Sequence, residues 1–358
     1  MTPTTVESRE GPLAGLSNDV LAYLRRPLGS DVVYRDPLRP LRGGFVTDVY
    51  SFRVESAADG WEGPLVLRVY PDGTDAVSIR RERCAQDVVS AQGVPAPRVL
   101  ACEDTPHSLE RPFMIMERLP GRPQLAIDFP RILVEAHRLF TLPRRHAAAI
   151  DMVHALDAAP LLRALEMAAI DRRAAGPEHW LDGAEATILR WGFDRLRPVL
   201  EWLRSHRPVE PQHHVICHGD FFGANILEQA GRITGIVDWN LATVADPAFD
   251  IGGQVAVYEM SPLPGPRVMQ FAATGFGQLL ARGLRRAYRR YRPIEEGTIR
   301  YYAVMRAFTE LTFKLGLEAE VSTTGVSRRM PTWRPDQCAR YIEGWTGVAI
   351  EAKELGRS

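Results

Sequence analysis

Residues 215–251 read VICHGDFFGANILEQAGRITGIVDWNLATVADPAFDI, and the rest of the chain is best read outward from this stretch. His218-Gly219-Asp220 is followed, after four residues, by Asn225. A short hairpin then leads through the apolar residues Ile233, Ile236 and Val237 to Asp238-Trp239-Asn240. Phosphoryl transfer needs one base to orient a nucleophile and at least two hard oxygen ligands to fix magnesium on the phosphates. Asp220 as base, with Asn225 and Asp238 as metal ligands, supplies that set. A lone His-Gly-Asp carries little weight, because any turn can contain one. Its combination with Asn225, the hairpin and Asp238 carries a good deal.

The Asp220-to-Asn225 spacing matches the catalytic loop of eukaryotic-type kinases, and Asp238 stands where their metal-binding Asp-Phe-Gly does. With His-Gly-Asp in place of His-Arg-Asp, the stretch resembles the aminoglycoside phosphotransferase/choline kinase family of small-molecule kinases. Asp246-Pro247-Ala248-Phe249-Asp250 is similar to that family's segment after the metal aspartate. The resemblance implies that Asp250 braces the catalytic loop without touching substrate. It also implies that His218 holds the loop through backbone bonds while the carboxylate handles the proton. Only eight positions separate Asp238 from Asp246. That leaves no room for a protein kinase's activation loop and Ala-Pro-Glu, so a protein substrate is disfavoured.

Composition bounds the answer further. A chain of 358 residues can form one large or two smaller domains with a substantial core. The 44 basic and 44 acidic residues cancel, which argues against a general nucleic-acid binder or a membrane-surface protein. Lys314 and Lys353 are the only lysines. Cys84, Cys102, Cys217 and Cys338 show no metal-type pairing and suit a reducing cytoplasm. No apolar run approaches the ~20 residues of a membrane span.

The pattern changes near Gly121. Residues 1–35 read as a polar leader with one helix over Leu16–Leu24, followed by extended chain. Short strands follow at Val49–Val54, Leu65–Tyr70, Val99–Ala101 and Phe113–Met116, with one helix over Ser78–Gln92. Beyond Gly121, helices are expected over Pro130–Phe140, Arg145–Asp157, Glu185–Ser205, Val268–Tyr291 and Thr298–Leu317, with only the catalytic hairpin interrupting them. The expected fold class is α+β with two lobes like a protein kinase: an N-terminal nucleotide-binding lobe over 1–116 and a catalytic, substrate-binding lobe over 122–358. The hinge at 117–121 comes from the resemblance.

Three parts of a nucleotide site can be assigned to the first lobe and a fourth to the hinge. Arg42-Gly43-Gly44-Phe45-Val46-Thr47 lies between two strands, where paired glycines let backbone amides approach an anion. An ordinary turn is the competing reading, and the resemblance favours a phosphate-covering loop with contacts at Gly43, Gly44, Phe45 and Thr47. Protein kinases grip the α and β phosphates with a strand lysine. This lobe has no lysine, and Arg68 occupies the position; a solvated strand arginine is the plainer alternative. Glu82, on the following helix, would pair with Arg68 or with its arginine neighbours. By resemblance, adenine would bond backbone groups at Glu117 and Leu119.

The acceptor is less explicit. Glu310, Glu318, Glu320, Glu259, Asp182 and Glu185 could meet a polycation, or could form solvated helix faces. Trp180, Trp191, Trp333, Trp345, Tyr258, Tyr301 and Tyr302 could line an apolar pocket, or could be core. The expected activity is transfer of a phosphoryl group from ATP, or GTP in its place, to a hydroxyl of a small molecule with Mg2+. Neither nucleic acid nor membrane is expected as a partner. The rival is a kinase-fold protein that binds nucleotide without transferring phosphate, supported only by Arg68.

Overall fold

The computed structural model describes residues 10–41, 47–56, 58–125, 136–209, 214–260, 267–324 and 334–350. The chain divides into two compact units, 1–87 with 97–119 and 88–96 with 120–358.

Five strands form the sheet of the first unit: β1 (Val33–Pro40), β2 (Asp48–Glu55), β3 (Leu65–Val69), β4 (Val99–Glu103) and β5 (Phe113–Glu117). All pairs are antiparallel, in the spatial order β1-β2-β3-β5-β4. Alternate residues of a strand point to opposite faces, and β3 shows what this achieves. Leu65, Leu67 and Val69 join one buried cluster with Val20 and Leu24 of helix α1 (Glu10–Leu28). Val66 faces the other cluster, with Ile79 of helix α2 (Ala76–Ala91), Met114 and Met116. Arg68 shares that second face. Helix α1 is longer than the sequence suggested, and β1 was expected only as extended chain. Its Pro37 and Pro40 hide the strand signal, and they are tolerated because β1 lies at the sheet edge.

The second unit is mainly helical: α3 (Leu142–His154), α4 (Ala159–Met167), α5 (Glu178–Trp191), α6 (Arg197–Ser205), α7 (Ala248–Glu259), α8 (Arg267–Tyr288), α9 (Glu296–Thr324) and α10 (Pro335–Thr346). Two small sheets accompany them. One joins β6 (Arg122–Pro123), β8 (Ile226–Gln229) and β9 (Arg232–Ile236); the other pairs β7 (Val215–Cys217) with β10 (Thr243–Ala245). The catalytic hairpin is therefore not the only interruption. The single helix expected over Glu185–Ser205 is two helices. Gly192 adopts φ +68° and ends α5, and Pro198 stands in the first turn of α6. Helices α4, α7 and α10 were not foreseen. Helix α7 is buried nearly all round, so it carries no one-sided apolar stripe to read. It packs closely on α9, where a side-chain carbon at Gly252 would stand 2.6 Å from the Ile299 carbonyl oxygen. Of the helix expected over Pro130–Phe140, residues 136–140 are described, and Ala136–Leu139 of them are helical.

No helix among the described residues is long and apolar enough to cross a membrane. The four cysteines are free thiols.

Candidate functional site

The candidate loop, residues 218–225, hangs from the end of β7. His218 and Gly219 carry the chain from that strand to Asp220, and Gly219 has φ +82°. A side-chain carbon there would lie 2.2 Å from the Leu241 carbonyl oxygen, so the backbone admits only glycine. Asp250, in the first turn of α7, receives both loop amides. Its Oδ2 accepts from the His218 N–H at 2.9 Å and its Oδ1 from the Gly219 N–H at 2.7 Å. His154 of α3 donates from Nε2 to Asp250 Oδ2 at 3.0 Å, while its Nδ1 takes the Tyr288 hydroxyl at 2.6 Å.

His218 is committed on both nitrogens. Nε2 donates to the Val237 carbonyl at 3.0 Å, and Nδ1 accepts the Asp220 N–H at 3.2 Å. Its ring packs against Phe221 and Trp239. A ring so occupied has no lone pair left for a substrate proton. Cys217 is wholly buried, and burial pushes its thiol pKa well up, which makes it an inert packing residue.

Asp220 is held from two sides. Asn225 donates from Nδ2 to Asp220 Oδ2 at 3.1 Å and to its carbonyl at 3.0 Å. That leaves the Asn225 side-chain oxygen pointing away from Asp220. The hairpin then returns Asp238 to the same place: Ile226 pairs with Ile236, and the Val237 N–H donates to the Asn225 carbonyl at 2.9 Å. Asp238 itself has φ +70°, an uncommon conformation for a residue with a side chain, of the kind that gathers at functional sites. Strand pairing thus brings Asn225 and Asp238 to the mouth of one hairpin, and an amide and a carboxylate oxygen are the hard donor types that fit magnesium. Among the described residues, the cluster His154, Cys217 and Asp250 also groups potential ligands. Its carboxylate already accepts three N–H donors and its thiol is soft, so it fits magnesium poorly.

Arg306 of α9 supplies the other hold on Asp220. Its Nη2 donates to Asp220 Oδ1 at 2.9 Å and its Nη1 to the Gly219 carbonyl at 2.7 Å. Sequence reasoning missed it. The available signal was one arginine within the otherwise apolar and aromatic run Tyr301–Phe308. Burial opposes its charge, but the carboxylates of Glu310 and Asp220 offset this and hold its pKa above the ordinary arginine value.

In the first unit, Arg68 and Glu82 form an ion pair. Arg68 Nε donates to Thr47 Oγ1 at 3.1 Å, and the Tyr70 hydroxyl donates to Glu82 Oε2 at 2.9 Å. Glu82 is buried and the Arg68 side chain is 12% exposed, which disposes of the solvated-arginine alternative. Glu117 ends β5; its N–H donates to the Arg98 carbonyl at 3.0 Å and its side chain pairs with Arg98. Leu119 is half-buried two residues on. Gly43, Gly44 and Phe45 lie outside the described residues, as does Trp333.

The acceptor candidates scatter. Asp182 pairs with Arg173 at 2.8 Å, Glu185 with Arg204 at 2.7 Å, Glu259 with Arg285 at 2.9 Å and Glu310 with Arg306 at 2.6 Å. Each of these four carboxylates therefore already has its own arginine. Trp180 bonds Thr243 Oγ1 at 3.0 Å and stacks edge-on with Phe249. Tyr258 and Tyr302 are buried, and Trp345 is exposed. A pocket of about 220 Å³ on α5, α6 and α9 is lined by residues including Arg173, Glu178, Asp182, Arg204, Tyr301 and Tyr302.

A model of the phosphotransferase enzyme family matches residues 37–294, well over half of the chain. Among solved structures, the chain superposes with a TM-score of 0.60 on a thermostable mutant of the aminoglycoside phosphotransferase APH(4)-Ia, in ternary complex with AMP-PNP and hygromycin B. The match is 18% identical and covers 92% of this chain and 99% of that one. The macrolide 2'-phosphotransferase MphH of Brachybacterium faecium matches with a TM-score of 0.51 at 18% identity, over 92% and 98% of the two chains. Such identities establish the fold: α+β, two-lobed and protein-kinase-like, as the sequence suggested. The Arabidopsis thaliana protein named "Probable acyl-CoA dehydrogenase IBR3" is 25% identical over 238 residues, 58% of this chain and 28% of that protein. Acyl-CoA dehydrogenase family member 11 of Gallus gallus is 24% identical over 206 residues, 54% of this chain and 25% of that protein. The chain spans about a quarter of the length of these curated relatives.

Proposed function

The chain belongs to the phosphotransferase enzyme family, and from that membership we propose that it moves the γ-phosphate of ATP to a hydroxyl of a small molecule. The observation that carries this reading is Asp220, its two carboxylate oxygens held by Asn225 and Arg306 at the mouth of the hairpin that leads to Asp238. The acceptor oxygen forms a bond to the γ-phosphorus, the bond from phosphorus to the β–γ bridging oxygen breaks, and the hydroxyl proton passes to the Asp220 carboxylate. Asn225 and Asp238 would hold magnesium, which neutralises charge on the phosphate oxygens when bound. Arg68, oriented by Glu82, would face the α and β phosphates, with the loop at Gly43, Gly44, Phe45 and Thr47 above them. Adenine would bond backbone groups at Glu117 and Leu119 in a hinge over 117–121, and GTP could be tested in the same place. His218 and Asp250 support the loop. The proposed location is the cytoplasm, where ATP is supplied, and the free thiols support that reading.

The rival, a nucleotide binder without transfer, rested on Arg68. The Arg68–Glu82 pair weakens it, because it reproduces the strand–helix ion pair of kinases with arginine for lysine.

The test is release of ADP from MgATP in the presence of hygromycin B or a macrolide, the two acceptor classes named for the similar structures. Asp220→Ala should lower turnover by ~10²–10⁴-fold while leaving nucleotide binding intact. More than a tenth of the wild-type rate would remove Asp220 from the mechanism.

A further inference from the structure

Arg306 sits mid-way along α9 at 8% exposure. Its guanidinium meets three separate oxygens: the Gly219 carbonyl at 2.7 Å, Asp220 Oδ1 at 2.9 Å and Glu310 Oε1 at 2.6 Å. The Trp180 ring lies 5.9 Å away. We propose that Arg306 is a positioning residue that sets the rotamer of the Asp220 carboxylate, with Glu310 as the counter-charge that aims Arg306. The proposal rests on the phosphotransferase reading of the site.

Two plainer roles account for only part of this geometry. A helix ion pair between Arg306 and Glu310 would sit on a surface and contribute little. It would not justify burying a guanidinium, whose desolvation opposes folding far more strongly. A tether for the loop needs no more than the bond to the Gly219 carbonyl. The second donor, on Asp220 Oδ1, is what a tether leaves unexplained. Together with Asn225 on Oδ2, it holds both oxygens of the carboxylate, and each oxygen keeps a lone pair for an incoming hydroxyl. The planar fork can span the Gly219 carbonyl and the Asp220 side chain at once; a lysine would reach one of them. Arg306 also separates two carboxylates, since Asp220 and Glu310 would otherwise face each other with like charge.

A residue acting through Asp220 affects kcat and leaves ATP binding alone, because a misplaced base spoils only the reacting geometry. In Arg306→Leu, kcat for ADP release from MgATP, with water or hygromycin B as acceptor, should fall about 10²-fold. The KM for ATP should stay within about threefold of wild type. Arg306→Lys, which keeps the charge, should lose at most about tenfold. Arg306→Leu also strands Glu310, so the Arg306→Leu/Glu310→Leu double variant separates folding from positioning. It should regain the wild-type urea midpoint while kcat stays low. Recovery of kcat along with stability would overturn the proposal, as would a lysine variant as slow as the leucine variant. The rotamer is read independently of turnover. A crystal structure of the double variant should show the Asp220 carboxylate displaced, and an unmoved carboxylate would overturn the proposal even in an inactive enzyme. A wild-type protein that releases no ADP with any acceptor counts instead against the phosphotransferase reading.

Discussion

Asp250→Ala removes the acceptor for three donors at once: the backbone N–H of His218, the backbone N–H of Gly219 and Nε2–H of His154. Asp250 is 3% exposed, so water cannot replace the carboxylate without opening the structure. Hydrogen bonds to a charged partner contribute ~1.5–3 kcal/mol each, and a buried donor left unsatisfied costs ~1–3 kcal/mol. Simple addition would approach ~9 kcal/mol, but members of one network are not additive. The two stranded backbone amides alone set an expectation of about 4 kcal/mol. Asp250→Asn keeps one oxygen and should lose roughly half as much, since its amide NH2 then faces one of the donors. Urea unfolding followed by tryptophan fluorescence, with linear extrapolation, measures both losses. The second unit contains Trp180, Trp202 and Trp239, so the signal reports on the right part of the chain. At a temperature where both variants remain folded, kcat should also fall, because the Asp250 bonds hold the peptides that lead into Asp220. A stability loss under about 1 kcal/mol for Asp250→Ala would refute the view that this carboxylate anchors the loop.

Two further outcomes follow from the same geometry. If Arg68 and Glu82 act as one phosphate clamp, Arg68→Ala should weaken ATP use substantially and Glu82→Ala should add little on top; strictly additive effects on ATP kinetics would show that they do not form the clamp. His146 is wholly buried, and burial followed by the neighbouring Arg145 lowers its pKa from 6.5 to about 3. The unfolded chain therefore takes up a proton that the buried ring refuses. This contribution to stability is complete above about pH 6.5 and is lost as the pH falls toward 3, amounting to roughly 2 kcal/mol by pH 5. His146→Gln, which can still accept the Tyr258 hydroxyl, should flatten that acid slope by one proton; equal slopes for the two proteins would contradict the buried neutral ring.

The sequence by itself determined the candidate site, because that set of residues is local. Asp220, Asn225 and Asp238 lie within twenty residues on one loop and hairpin, and strand pairing between near neighbours brings them together whatever the rest of the chain does. Strands β2 to β5 of the first unit were equally legible, since alternation of period two, as in Leu65–Val69, follows from the pleat itself, whereas the prolines of β1 masked it. Helix limits were less so: Gly192 divides a helix that reads as continuous, and α7 is too evenly apolar to show a stripe. What only the tertiary structure decided were the partners of buried charges. Arg306 reaches Asp220 across 86 positions and His154 reaches Asp250 across 96. No spacing rule links such residues. A buried charge is stable only beside its counter-charge or hydrogen-bond partners, and folding selects those partners by proximity in space, not along the chain.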